Sequence, residues 1–306
     1  MKKKHSNQTY FYSQKSTIKK QLLYSILMFL YLGCYSLAYS QTSSSISKDN
    51  IYVAAHRGGY ENEYKDKAPE NSIANIQNAI NYGYEIYETD VNRTLDGVFV
   101  IMHDQTIDRT TNGTGRVDKL TSEELKKYRL TYYRSHRGEI SEEPIPLFEE
   151  FISKGGGKII FKIDFKSKPK YLIEFIEIIQ SLKLKDRVIL RLPYTKEIIN
   201  EIKKINLDES PQIFFRIKTL AQFRELKNTF NPRMISLITK NYFTKEHLQI
   251  IKEASNENIL IEAHTFYDRK NNRDELLWEE QIKLPITIYH TNKPIRFKKF
   301  LEEKQK

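Results

Sequence analysis

Cysteine is almost absent from this 306-residue chain, in which Cys34 is the only one. Acid is absent from the first forty residues, although they hold six lysines (Lys2, Lys3, Lys4, Lys15, Lys19 and Lys20). The apolar run behind those lysines, Leu22 to Leu32, is short for a full membrane span. A basic lead, a short apolar core and the small-x-small triplet Ala38-Tyr39-Ser40 before Gln41 together predict a secretory signal peptide over residues 1–40. The mature chain, 41–306, is then exported, to a periplasm or to the extracellular space. An uncleaved anchor is one alternative. Lipid attachment at Cys34, in Tyr31-Leu32-Gly33-Cys34, is another.

Each scarcity excludes something. A mature chain without Cys34 has no disulfide and no thiol chemistry. Loss of the six lysines takes the formal net charge from +11 to +5, which is mildly basic and not the footprint of a nucleic-acid binder. Contact with a membrane is left to the signal segment or to a lipid on Cys34. The length that remains suits one α/β barrel better than two small domains. It begins with a polar, serine-rich lead-in, Ser43 to Lys48.

What is present is alternation. Short apolar runs recur at 51–55, 85–91, 159–164, 187–192, 212–217, 234–239, 258–264 and 286–290. Amphipathic stretches separate most of them, among them Ser72–Tyr82, Tyr171–Leu182, Lys196–Ile205, Leu220–Phe230 and Lys245–Ala254. Strands alternating with helices predict a parallel sheet, and eight such strands predict a (β/α)8 TIM barrel whose active site lies at the carboxyl ends of the strands. One excursion, about 104–145, breaks the alternation after the second strand. It contains the capping box Thr121-Ser-Glu-Glu124 and ends at Pro144-Ile-Pro146, ahead of a helix at Leu147–Ile152. Its His136-Arg137-Gly138 follows no apolar strand and reads as a solvated loop.

The chemistry concentrates between Tyr52 and Asp104. Ala55-His56-Arg57-Gly58 closes the first apolar run, Pro69-Glu70-Asn71-Ser72 follows, and Glu88-Thr89-Asp90 ends the next run. Side chains two apart on a strand share a face, so Glu88 and Asp90 project together. Asp96-Gly97 predicts a tight hairpin whose return strand, Val98 to Met102, brings His103 back to the level of Asp90. Asp104 is expected to brace that hairpin. The default role of Glu70 and Asn71, at a helix start, is capping and loop anchoring.

These residues, with Arg109 to Gly115 after them and in this order and spacing, resemble the glycerophosphodiester phosphodiesterases of the phosphatidylinositol-specific phospholipase C-like barrel superfamily. The resemblance is close from about 51 to 151 and looser beyond. It implies that His56 and His103 are the catalytic pair and that Glu88, Asp90 and Asp164 hold a divalent cation. It also implies that Arg57 and Lys166 bind the phosphate, with Glu70 as an additional ligand candidate. Two positions depart from the family's pattern. Asp164-Phe165-Lys166 stands where Glu-x-Lys is usual, and His264 precedes Thr265 where Trp-Thr is common.

Cleaving a phosphodiester requires charge neutralisation, a nucleophile relieved of its proton and a leaving alkoxide given one. All-oxygen ligation favours Ca²⁺ or Mg²⁺, leaving the histidines as acid and base. Three carboxylates around such a cation would leave the cluster near −1. The expected substrate is a small glycerophosphodiester. The expected products are glycerol 3-phosphate and an alcohol, formed either by direct attack of water or through a cyclic phosphate. A lysophospholipase D-like or sphingomyelinase D-like enzyme and a silent phosphodiester-binding barrel are the alternatives. Strand parity adds one expectation. Lys162 shares the inward face of Asp164 and Lys166, Glu262 shares that of His264, and the two pair across the interior.

Overall fold

A computed structural model describes residues 46–59, 68–132, 138–239, 243–265 and 274–304. The predicted signal, Cys34 and His136 lie outside these. Eight parallel strands form a closed barrel: β1 (Tyr52–His56), β2 (Ile86–Arg93), β6 (Ile160–Phe165), β7 (Val188–Pro193), β8 (Gln212–Ile217), β9 (Met234–Leu237), β10 (Leu260–His264) and β11 (Ile288–Thr291). β11 pairs with β1 and β1 with β2, which closes the ring. The remaining strands are β3 (Phe99–Ile101), antiparallel on β2, and the small β4 (Arg129–Thr131) and β5 (Ile140–Pro144) pair of the excursion. No described helix is long and apolar enough to cross a membrane.

The helices close the outer layer because their apolar residues recur at helical spacing. The helix Leu172–Ser181 buries Leu172, Phe175, Ile176 and Ile179 against the strands. The helix Ile73–Asn81 begins where Ser72 accepts from the Asn75 backbone N–H, and it buries Ile76 and Ala79. The excursion has its own core, including Met102, Ile107, Val117 and Leu130.

Inside the barrel the strand period of two separates two levels. Ala54, Ile86, Ile160, Ile189, Phe214, Met234 and Ile288 form one apolar cluster with Leu260 packed against it. Two residues further along the same eight strands stand His56, Glu88, Lys162, Arg191, Arg216, Ser236, Glu262 and His290. A single pleat therefore carries the interior from hydrocarbon to polar chemistry, on the carboxyl side of every strand.

Candidate active site

Three backbone features set the first corner. Arg57 leaves β1 with φ 51° and Gly58 follows with φ 86°. A Cβ at Gly58 would collide with the Asn75 side chain and the Tyr87 hydroxyl, so the turn needs glycine. The Arg57 carbonyl accepts from the backbone N–H of Asn71 (3.2 Å), from Asn75 Nδ2 (3.3 Å) and from Tyr87 Oη (3.3 Å). The Arg57 backbone N–H donates to Glu88 Oε2 at 3.0 Å. This is how Pro69-Glu70-Asn71-Ser72 comes to lie beside His56-Arg57-Gly58. Asn71 also donates to Asp90 Oδ2 at 3.3 Å, beyond the capping and anchoring expected of it.

The hairpin forms as its sequence predicts. β2 and β3 pair antiparallel, and the Met102 backbone N–H donates to the Asp90 carbonyl at 3.0 Å, so His103 stands beside Asp90 along the rim. Asp104 does more than brace it. His103 Nδ1 lies 2.6 Å from Asp104 Oδ1, and Arg109 Nε donates to Oδ2 of the same carboxylate at 2.5 Å. Against burial, which would raise it, Arg109 and His103 hold the Asp104 carboxyl below its ordinary value. An ionised carboxylate only accepts, so Nδ1 carries the hydrogen and Nε2 is the free position of the ring. The chain continues from Arg109 to Glu70 Oε1 (2.8 Å), from Glu70 to Arg57 (2.9 Å), and from Arg57 to Asp90 (3.4 Å). Glu70 Oε2 is buried with no hydrogen-bond partner.

His56 ends β1 with Nδ1 at 2.5 Å from Asn292 Oδ1, in the loop after β11, and Nε2 at 4.0 Å from Glu88 Oε2. Burial, followed by the charge of Arg57, holds this imidazole well below its ordinary pKa and therefore neutral.

Glu88, Asp90 and Asp164 bring ligand oxygens within 4.8 Å of one another, all buried. Burial, then the neighbouring Asp90 and Asp164, push the Glu88 carboxyl up to about 8, against the pull of Lys162 and Arg191. This donor set, hard oxygens on two adjacent strands in register (Asp90 opposite Asp164), fits a divalent cation of the Ca²⁺ or Mg²⁺ kind. Lys166 lies 3.2 Å from Asp90 and 3.1 Å from Asp164.

One residue that sequence reasoning passed over organises the interior. Arg191 grips Asp164 with Nε and Nη2, reaches Glu88 and Glu262 at 3.4 Å each, and donates to His264 Nε2 at 2.5 Å. Against burial, which would raise it, Arg191 and Lys166 hold the Asp164 carboxyl well below its ordinary value. The expected charge near −1 omitted this guanidinium. Among the described residues the carboxylates Glu88, Asp90, Asp164 and Glu262 are ion-paired with Arg57, Lys162, Lys166 and Arg191. Lys162 and Glu262 pair directly and fully buried, as strand parity predicts. His290, also passed over, places Nε2 at 3.4 Å from Glu88. The parity rule that found Lys162 reaches Arg191, two residues past the inward Ile189. It reaches His290 in the same way, two past Ile288.

Residues 56–302 match the family described as the glycerophosphoryl diester phosphodiesterase family. Human glycerophosphodiester phosphodiesterase 1 is 39% identical over 107 residues, which are 35% of this chain and 31% of that protein. The chain thus matches about a third of that relative's length. A solved glycerophosphoryl diester phosphodiesterase from Parabacteroides distasonis superposes with a TM-score of 0.70 at 23% identity, covering 87% of this chain and 90% of the other. A phosphodiesterase from Oleispira antarctica, solved with the product sn-glycerol-3-phosphate, gives a TM-score of 0.65 at 21% identity, covering 83% and 97%. At these identities the two structures speak for the fold.

Proposed function

Because the chain belongs to the glycerophosphoryl diester phosphodiesterase family, we propose that it is a metal-dependent hydrolase cleaving glycerophosphodiesters to glycerol 3-phosphate and an alcohol. The observation that carries this reading is the rim of β1, β2 and β6. There a buried carboxylate trio lies against Arg57 and Lys166, with His56 and His103 at its margins.

Glu88, Asp90 and Asp164 would hold Ca²⁺ or Mg²⁺, with Glu70 as a further candidate through its unpartnered Oε2, and the bound ion supplies Lewis-acid charge against the phosphoryl oxygens. Arg57 and Lys166 bind and orient the phosphate from either side of Asp90. Their positive charge counters the negative charge that builds up on its oxygens. His56 is the base: neutral, with its Nδ1 hydrogen donated to Asn292, it takes the nucleophile's proton at Nε2. His103 is the acid: held through Nδ1 by Asp104, it delivers a proton from Nε2 to the departing alkoxide. These roles serve whether water or a glycerol hydroxyl attacks first.

Soluble, deacylated headgroup diesters suit the site better than acylated lipids. The excursion turns Ile107, Val117, Leu125, Leu130 and Ile145 into its own core, and of its described large apolar side chains only Ile140 is exposed. The basic lead, apolar core and Ala38-Tyr39-Ser40 support the further reading that the enzyme is exported and works outside the cytoplasm. A mature chain beginning at Gln41 by mass spectrometry would support export by cleavage, and a lipidated Cys34 would contradict that cleavage site. To test the activity, the protein is incubated with Ca²⁺ or Mg²⁺ and either glycerophosphocholine, glycerophosphoethanolamine or the matching lysolipids. Glycerol 3-phosphate from the deacylated diesters is the expected ³¹P signal. Turnover confined to the lysolipids, or a phosphorylated headgroup alcohol as product, would contradict the reading.

A further inference from the structure

The ring of polar residues one pleat above the apolar plug contains five formally charged side chains: Glu88, Lys162, Arg191, Arg216 and Glu262. Four of them are tied into ion pairs with one another or with Asp164. Arg216 is not. It projects inward, because Phe214, two residues before it on β8, belongs to the inner apolar cluster, while Phe215 and Ile217 belong to the core outside the barrel. It is half-buried at the mouth, and among the described residues no carboxylate, carbonyl or aromatic ring takes its guanidinium. Beside it on β9, in register, Ser236 is fully buried with an Oγ that has no hydrogen-bond partner. Opposite Arg216 on its other side is Pro193, which offers no polar side chain.

The position of this cation is fixed by topology. Around the ring the order is β1, β2, β6, β7, β8, β9, β10, β11, so β8 stands four places from β1, diametrically across the mouth from His56 and Arg57. An eight-stranded barrel is narrow enough for one small ligand to reach from wall to wall. A diester whose reacting phosphate lies on the β1, β2 and β6 side would present its far end to Arg216. A half-exposed guanidinium and a buried hydroxyl, neither with a partner among the described residues, together offer donors to an anion.

Building on the phosphodiesterase reading, we propose that Arg216, with Ser236 beside it, forms a second anion subsite. The preferred substrates are then glycerophosphodiesters whose alcohol carries a further acidic group, a second phosphate or a carboxylate. A cationic choline or ethanolamine end would meet a like charge there.

Four diesters separate the cases: bis(glycerophospho)glycerol, with a second phosphate; the glycerophosphodiester of glyceric acid, with a carboxylate and no ammonium; glycerophosphoglycerol, with neither; and glycerophosphocholine, with a fixed cation. The full chain is assayed with Ca²⁺ or Mg²⁺ for kcat/KM. Calorimetric binding to the same chain after chelation needs no turnover and is scored alongside. We expect at least one of the two acidic diesters to exceed glycerophosphoglycerol on the order of tenfold, the scale of a charge-assisted hydrogen bond, and glycerophosphocholine to rank last. Arg216→Gln should abolish the ranking, and Arg216→Lys should retain much of it, which separates loss of charge from misfolding. Equal values for all four diesters in the wild type would overturn the subsite. A ranking that survives in Arg216→Gln would also overturn it. So would an equal loss on every diester in Arg216→Gln, because that places Arg216 on the reacting phosphate. If no diester turns over but the binding ranking holds, the subsite stands and the hydrolase reading falls.

Discussion

Two levels of one barrel interior, a single pleat apart, are stabilised by opposite physics. The lower level is a plug of Ala54, Ile86, Ile160, Ile189, Phe214, Met234 and Ile288, held by burial and close packing. The upper level is held by charge balance, with Lys162 paired to Glu262 and Arg191 shared among Asp164, Glu88 and Glu262. In the plug a truncated side chain leaves a cavity but no stranded charge. Above it Lys162, Glu262, Arg191 and Asp164 are satisfied through one another, so removing one strands its partner in a medium that tolerates no lone charge. The lower level is the foundation that lets the upper one carry so much buried charge in a fixed geometry.

The largest effect is expected where that charge meets the reaction. A general acid matters only when the leaving group needs a proton, and is then worth on the order of 10²–10⁴-fold. His103→Ala should lose activity on that scale with a choline leaving group and regain most of it with a nitrophenolate. His56→Ala should be rescued far less. Equal rescue would deny the division of roles, and preferential rescue of His56→Ala would reverse it.

Next is a direct contrast of the two levels by chemical denaturation. Lys162→Met leaves Glu262 with the more distant Arg191 and should cost about 3–5 kcal/mol. Adding Glu262→Leu should return much of that loss, a strongly non-additive pair. Ile189→Ala in the plug should cost about 2–5 kcal/mol, with no second substitution on the Lys162 side restoring it. Additive behaviour of Lys162→Met and Glu262→Leu would erase the distinction between the levels.

A smaller, graded effect is expected with pH in metal-free protein. Burial, with neighbouring cations, holds His56, His264 and His290 well below 6.5. The unfolded chain therefore takes up three protons below pH 6.5 that the folded chain refuses. Glu88 works the other way: raised from 4.5 to about 8, it is protonated in the folded chain across that window and ionised in the unfolded one. The three imidazoles together outweigh the one carboxyl, so unfolding takes up protons on balance. Stability should therefore fall as the pH drops below 6.5. Above about pH 7 the imidazoles are neutral in both states, Glu88 outweighs them, and stability should drift down as pH rises towards 8. A flat profile below pH 6.5 would mean that the upper level takes up protons freely.

Much of this was legible in the sequence, for a reason the two levels make plain. Alternating apolar runs and amphipathic helices report the barrel because burial imposes period 2 on strands and 3.6 on helices. Asp96-Gly97 reports the hairpin because its turn geometry is local. Lys162 and Glu262 were found by parity alone. Arg191 was hidden inside Val188-Ile-Leu-Arg-Leu192, a run that reads as apolar because its other four residues are Val, Ile and Leu. The Asp104–Arg109–Glu70–Arg57 chain was hidden for a different reason. It joins a loop after β1 to a loop after β3, and only tertiary structure says that those loops meet.

The central claim is that the carboxylate trio of the upper level works through a divalent cation on a phosphodiester. Turnover of glycerophosphocholine by the purified protein, measured before and after exhaustive chelation and again after adding Ca²⁺, Mg²⁺ or Zn²⁺, tests it most directly. Chelation should abolish turnover, and Ca²⁺ or Mg²⁺ should restore it better than Zn²⁺, as hard oxygen ligands require. Undiminished turnover after chelation, with no retained metal by elemental analysis, would contradict the account.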